Sequence, residues 1–291
     1  MQNSRRNFIK LSGLSALALS SPIKKLSLLH DEFSYKNLDA FGIQLWTVKE
    51  DMAANAKDTL KQLAGFGFKQ IESFEGKDGI FWGMKNTEFK KYLDDIGTKI
   101  VASHCDISKD FERKAAEAAA IGMSYLICPY KGPQKNIDEF KKFAEEFNKC
   151  GEICRKNGIR FAYHNHDYSF KPVDGQLPQK VMIDNTDASL VDFEMDIYWV
   201  VVAGENPEEW FKKYKNRFRS CHVKDRLKNP PAKAGDGSCV VGTGSINFPQ
   251  ILKTAKANGV KYFIVEQEAF AGTTPLKSSE ANAAYMKNLS I

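Results

Sequence analysis

From residue 41 to the C-terminus, short apolar runs alternate with stretches whose apolar positions recur every three or four residues. Short apolar runs bounded by turn signals suit buried strands, and the longer period suits helices that bury one face. The strands fall at 41–46, 68–74, 99–104, 125–128, 159–165, 190–196, 218–224 and 262–267. Helices follow at 51–65, 86–96, 109–121, 137–157, 178–184, 207–215, 247–258 and 278–288. Several of these end at glycine or Asn-Gly, as at Gly122, Asn157-Gly158 and Asn258-Gly259, a helix-stop signal. Eight strand–helix units over about 250 residues predict an α/β fold, a single (β/α)8 TIM barrel. A doubly wound open sheet is the rival. It would carry a glycine-rich phosphate loop after its first strand, and Trp46-Thr47-Val48-Lys49 has no glycine.

A barrel of this kind gathers its chemistry at the C-terminal ends of the strands. Glu72 ends the second strand and His104 the third. The fifth gives His164 and His166, the sixth Glu194 and Asp196, the seventh His222, Lys224 and Asp225, and the eighth Glu266 and Glu268. Because side chains alternate along a strand, His164/His166, Glu194/Asp196, His222/Lys224 and Glu266/Glu268 each face one side together. Taken alone, Glu72 or Glu194 reads as a solvated loop residue, Asp225 as a loop pin, and His104 equally as a core histidine. The set reads differently. Burying so many ionisable groups at one rim is costly unless a cation or ligand compensates them. A functional site with one divalent metal is therefore expected. Mixed imidazole and carboxylate ligands suit Mn, Co, Fe, Ni or Zn better than Ca or Mg, which favour all-oxygen shells. No cysteine falls in the set, which argues against a structural zinc.

Residues 1–30 stand apart from this pattern. Arg5-Arg6-Asn7-Phe8-Ile9-Lys10 precedes a short, weakly apolar run, Leu11 to Leu19, with no acidic residue before Asp31. A charged start before a short apolar run reads as a signal peptide, and the paired arginines resemble a twin-arginine (Tat) signal. The expected organisation is a leader at 1–30, a catalytic barrel at 31–291 and a periplasmic location. The leader also changes the charge picture. Its five cations account for most of the formal +6, and the remaining body is at about +1. Such a body gives no electrostatic reason to expect a nucleic-acid partner, and none is expected, nor any membrane contact after the signal is removed. A homo-oligomer is compatible with the pattern. The six cysteines show no disulfide framework; Cys150 and Cys154 could bridge locally, but buried free thiols are expected.

The segments IQLWTVKED (43–51), FKQIESF (68–74), SHCD (103–106), YHNHDYSF (163–170), MDIYWVVVAG (195–204), HVKD (222–225), VGTGSINF (241–248) and YFIVEQE (262–268) together resemble the sugar isomerase/epimerase family. That family has a xylose-isomerase-like barrel and is related to the AP endonucleases. The resemblance implies one divalent metal held by a Glu, an Asp, a His and a Glu from strands five to eight. Asp196, His222 and Glu266 match the last three. At the first place this chain has Tyr163-His164-Asn165-His166 instead of glutamate. His164 is assigned there, with His166 as rival.

In epimerase relatives two metal-bound glutamates also move the proton on opposite faces of the sugar. Replacing one by histidine keeps a ligand and removes that symmetry. The expectation is therefore deprotonation beside a carbonyl followed by loss or addition of a β-substituent: a lyase or hydratase acting on an unphosphorylated sugar, with 3-keto-glycosides the preferred substrates. A sugar isomerase or epimerase is the near alternative, and a non-catalytic sugar-binding protein or an AP endonuclease the remote ones. His166, His104 or Glu72 would take the proton, and Lys224 would support the developing oxyanion or the leaving group. Trp46, Trp199 and Glu268 are expected at the substrate, the two indoles as stacking surfaces, with Phe74, Trp82 and Tyr168 as further aromatics at the rim. The Gly242-Thr243-Gly244 loop is a weak candidate for a phosphate cradle.

Overall fold

The computed structural model describes residues 38, 40–232 and 237–291. The expected leader at 1–30 lies outside them. Eight parallel strands close into a barrel in the order β1-β10-β7-β6-β5-β4-β3-β2. These are β1 (Gly42–Gln44), β2 (Gln70–Phe74), β3 (Lys99–His104), β4 (Tyr125–Cys128), β5 (Arg160–His164), β6 (Val191–Asp196), β7 (Phe218–Val223) and β10 (Tyr262–Val265). The helices are α1 (Lys49–Phe66), α2 (Asn86–Asp95), α3 (Phe111–Ala120), α4 (Ile137–Lys156), α5 (Pro178–Asp184), α6 (Ile197–Val202), α7 (Pro207–Lys213), α8 (Phe248–Ala257) and α9 (Pro275–Asn288). Two short strands, β8 (Asp225–Arg226) and β9 (Ser238–Cys239), pair antiparallel beyond β7. The single (β/α)8 TIM barrel expected from the sequence is the fold observed. Among the described residues, no helix is long and apolar enough to cross a membrane.

Two apolar layers hold this barrel. The larger lies between strands and helices, where Phe89, Phe140, Phe147, Phe161, Phe193 and Phe248 are fully buried. The smaller includes Ala102, Ala162 and Ile264. Each of these stands two residues before His104, His164 or Glu266, so alternation points it to the same inner face as the polar rim. The strands pack closely here. A Cβ on Gly42 would lie 2.6 Å from Ile264 Cδ1 and 2.9 Å from the Gln70 carbonyl, so only glycine fits. At the opposite end, Asp192 accepts from Tyr125 Oη (2.8 Å) and from Arg160 Nη2 (2.9 Å), tying β4, β5 and β6 together.

Three segments differ from the expectation. The first strand stops at Gln44, and Leu45–Val48 form a 3-10 turn. Its cause is local: the Gln44 side chain accepts from the Trp46 backbone N–H at 3.1 Å, so the chain turns instead of extending. Trp46 therefore stands above the strand end. Second, α6 follows β6 without a loop, because Asp196 caps it by accepting from the Trp199 N–H at 3.3 Å. Third, the β8–β9 ribbon had no expected counterpart. All six cysteines are free and buried, as expected.

Candidate active site

Strands β2, β3, β5, β6, β7 and the chain just past β10 deliver seven ionisable side chains to one place. Glu194, fully buried on β6, is the hub. Its Oε2 lies 2.8 Å from His104 Nε2, 3.1 Å from His164 Nδ1 and 3.2 Å from His222 Nε2. Glu72 reinforces it: its Oε1 is 2.7 Å from His222 Nε2 and accepts from Gln44 Nε2 at 2.8 Å. These two carboxylates fix three imidazole rings in place and leave other nitrogens to face elsewhere.

Two of those nitrogens, on His164 and His222, turn toward Asp196. His164 Nε2 and His222 Nδ1 are each 3.9 Å from Asp196 Oδ2, and Glu266 Oε2 is 3.2 Å from His222 Nδ1. Asp196 is set by three local contacts. Its Oδ1 caps α6, while Asn165, lying between the two histidines of Tyr163-His164-Asn165-His166, exchanges two 3.2 Å hydrogen bonds with the Asp196 backbone. Lys224, fully buried, places Nζ 3.6 Å from Asp196 Oδ2, 3.3 Å from Glu266 Oε2 and 3.0 Å from Glu268 Oε2, with the Trp199 ring 5.0 Å away.

The electrostatics follow from this crowding. Burial and the neighbouring Glu194 push Glu72 up to about 7. Burial likewise raises Asp196 to about 7, against the pull of Lys224 and His222. Burial alone would strip His222 of its proton, but Glu194, Glu266 and Glu72 outweigh it and hold the ring well above its ordinary value. His164 and His166 go the other way, pushed by burial down to about 3 and about 2. Lys224 keeps its charge despite burial because Glu266, Asp196 and Glu268 surround it.

The donor set fits a divalent cation. Asp196 Oδ2 is buried and has no hydrogen-bond partner. With ligand bonds of about 2.0–2.2 Å, two atoms on one ion cannot be more than about 4.4 Å apart. The His164–Asp196, His222–Asp196 and His222–Glu266 separations of 3.2–3.9 Å satisfy that limit; Asp196, His222 and Glu266 form a mutually close set of three donors, which His164 approaches through Asp196. A second grouping, His104, His164, Glu194 and His222, brings four donors within the same span. Its contacts use the opposite nitrogens of His164 and His222, already bonded to Glu194 and Glu72. This second layer resembles the carboxylate–histidine support that orients metal ligands.

Beside the cluster lies a cavity of about 320 Å³. His104, His164, His166, Glu266 and Glu268 line its inner part, and Trp46, Phe74 and Tyr130 its walls; among the described residues no Lys or Arg lines it. His166 lies against the rings of Tyr130, Trp199 and His164, and its buried Nδ1 has no partner. Of the residues singled out in the sequence, the structure brings His104, His164, His166, Asp196, His222, Lys224, Glu266, Glu268 and Glu72 into this one cluster. Glu72 and Lys224 lie behind it, fully buried and away from the cavity lining. Trp199 is buried beside His166 and Lys224, whereas Trp46 stands at the mouth, 41% exposed.

Glu194 is not a solvated loop residue but the buried hub, and the clue was its pairing with Asp196 two residues on. Gln44 and Tyr130 were not singled out as site residues; single polar or aromatic residues near a strand end carry no distinctive spacing. Asp225 pins a loop, as its position suggested. It accepts from the backbone N–H groups of Gly242 (2.9 Å), Gly244 (2.9 Å) and Ile246 (3.2 Å), so the amides a phosphate would need are already taken.

Residues 60–289 match the model of the xylose isomerase-like TIM barrel family. An inosose dehydratase from Clostridium perfringens is 30% identical over 146 residues, covering 46% of this chain and 48% of its own length. The chain thus spans about half the length of the curated relatives it matches. A sugar phosphate isomerase/epimerase of known structure from Parabacteroides distasonis is 30% identical, with a TM-score of 0.73 over 87% of this chain and 94% of the other. A xylose isomerase-like TIM barrel protein from Mycobacterium smegmatis, solved in complex with magnesium, is 16% identical (TM-score 0.64; 86% and 96% covered) and shares the fold. On the family match and the Parabacteroides likeness together, this chain belongs to the xylose isomerase-like TIM barrel family.

Proposed function

We propose that this protein is a divalent-metal-dependent enzyme that acts on an unphosphorylated sugar by removing a proton beside a carbonyl, and that it is a lyase or hydratase of 3-keto-glycosides. One observation carries the reading: Asp196, His222 and Glu266 gather their donor atoms next to a cavity, His164 Nε2 stands 3.9 Å from Asp196 Oδ2, and that buried oxygen has no hydrogen-bond partner among the described residues. His164, Asp196, His222 and Glu266 would hold the ion. When bound, a divalent ion supplies Lewis-acid polarisation of a carbonyl, which acidifies the adjacent C–H.

The protein's own residues then divide the remaining work. His166 presents an unpartnered ring nitrogen beside the cavity, and we assign it the proton on the carbon next to the ketone. His104 borders the same cavity but is tied to Glu194, and Glu72 does not reach it. In a 3-keto-glucoside the proton leaves C2, its electron pair forms the C1–C2 double bond, and the C1–O bond breaks to release the aglycone, which takes up a proton. Lys224 holds Glu266 and Glu268 in place and is a positioning residue. Glu268 and Trp199 flank the reacting ring. The relatives named inosose dehydratases support elimination chemistry.

Phosphate is disfavoured here. Among the described residues no cationic side chain lines the cavity, and Glu75, Asp106, Glu266 and Glu268 would repel a phosphate monoester. The Parabacteroides likeness favours isomerisation or epimerisation as the second reading. A histidine in place of the first glutamate argues against it, because the symmetric pair of carboxylate bases is absent. The twin-arginine leader supports a periplasmic location, where sugars are mostly unphosphorylated.

Turnover of 3-keto-glucosides against free aldoses and ketoses, with added Mn²⁺ or Co²⁺, separates these readings. Release of aglycone is expected. Solvent deuterium entering the α-carbon with no aglycone released would instead make the protein an isomerase, and saturable sugar binding indifferent to chelator would make it a binding protein.

A further inference from the structure

Among the described residues, the large apolar side chains left exposed are Trp46 (41%), Tyr130 (54%) and Leu227 (37%). Two of the three, Trp46 and Tyr130, line the mouth of the cavity just described. Trp46 follows β1 and Tyr130 follows β4, with β2 and β3 between them in the barrel. Exposed rings on a folded surface forgo burial worth about 25 cal/mol per Å² of apolar area, and here they flank the opening of a ligand-sized cavity.

Neither ring is loosely held. Trp46 packs edge-on against Phe74 (centroids 5.0 Å apart), which packs edge-on against Trp82 (5.1 Å), and Trp82 Nε1 donates to Ser73 Oγ. Lys49 Nζ sits 4.0 Å over one face of Trp46. Tyr130 packs edge-on against His166 (5.0 Å) and Tyr168 (5.3 Å), and the Tyr168 hydroxyl accepts from the backbone N–H groups of Lys131 and Gly132, fixing the loop. Between the rings, Asp106 is clamped. Its N–H donates to Glu75 Oε2 at 2.8 Å, while buried Lys114 donates to both its carbonyl (2.8 Å) and Glu75 (2.7 Å). Glu75 Oε2 is taken by these contacts and Asp106 Oδ1 by Ser108, which leaves the second oxygen of each carboxylate to accept a hydroxyl between the two aromatic walls.

We propose that Trp46 and Tyr130 form a second subsite, an aromatic platform that binds the aglycone ring of a glycoside while the reacting ring occupies the inner cavity. The proposal rests on the glycoside reading above and narrows it: the substrate carries a second ring, either aryl or sugar, and is not a lone monosaccharide. A flat aryl face or the apolar face of a pyranose stacks on indole and phenol rings, and the two carboxylates take the hydroxyls of a sugar aglycone.

Binding of unreactive ligands tests this without relying on the reaction. Calorimetric titration of the metal-loaded protein with 4-nitrophenyl glucoside, a diglucoside and methyl glucoside is expected to rank both ring-bearing ligands above the methyl compound. Trp46→Ala and Tyr130→Ala should each weaken the ring-bearing ligands by about three- to tenfold and leave methyl glucoside within about twofold. A preference for only one ring-bearing ligand would tell the aryl source from the sugar source. The platform is overturned if the wild type shows no ring preference, including no binding at millimolar concentration, or if both variants keep it. If the ring preference is present and lost in the variants, yet no 3-keto-glycoside is turned over, the subsite stands and the proposed reaction falls.

Discussion

His166 and His164 stand two residues apart and do different things. His164 has one nitrogen on Glu194 and the other toward Asp196, whereas His166 keeps a buried nitrogen free beside the cavity. Replacing His166 by alanine should therefore lower kcat by about 10²–10⁴-fold, the usual worth of a positioned acid–base group, while the protein still takes up its metal. Loss of metal in that variant would make His166 a ligand instead. Glu194→Gln tests the supporting layer: metal affinity should drop by about 10–100-fold with the fold intact by circular dichroism, and an unchanged affinity would reduce Glu194 to a packing residue. The sequence carried the His, Asp and Glu pairs because two-residue spacing at a strand end is a strong geometric statement. Spacing alone did not rank Glu194 against Asp196; the family resemblance chose Asp196. That difference depends on whether a carboxylate faces three imidazoles or a helix N-terminus, and both belong to tertiary structure.

At the scale of elements, the strands and most helices were legible because each has a simple period, and several helices also end at a glycine. The departures arose where one side chain overrode the pattern. Gln44 turns the chain after β1 by catching the Trp46 N–H. Ile197 to Val202 is apolar all round, so it offers no helical face to read, and it becomes α6 because Asp196 caps it. Close strand contact makes its own prediction. Gly42→Ala would force a methyl against Ile264 and the Gln70 backbone, and overpacking of this kind costs about 1–3 kcal/mol. Denaturant unfolding of that variant should show a stability loss in this range; an unchanged midpoint would mean that β1 can shift away.

For the molecule as a whole, the barrel turns eight locally ordinary segments into one rim where four histidines, five carboxylates and a lysine are gathered. A compensating cation should stabilise it. At a hundredfold excess over its dissociation constant, a bound ion adds about 2.7 kcal/mol, so the melting temperature should rise on adding Mn²⁺ or Co²⁺ and fall on chelation. Because imidazole and carboxylate ligands must be deprotonated, that gain should shrink as the pH is lowered.

The most direct test is elemental analysis of the purified protein beside its His222→Ala variant, each equilibrated with Mn²⁺ or Co²⁺ and freed of excess. One divalent ion per chain is expected in the parent and none in the variant. A parent that retains no ion, or a variant that retains one equally well, would contradict it.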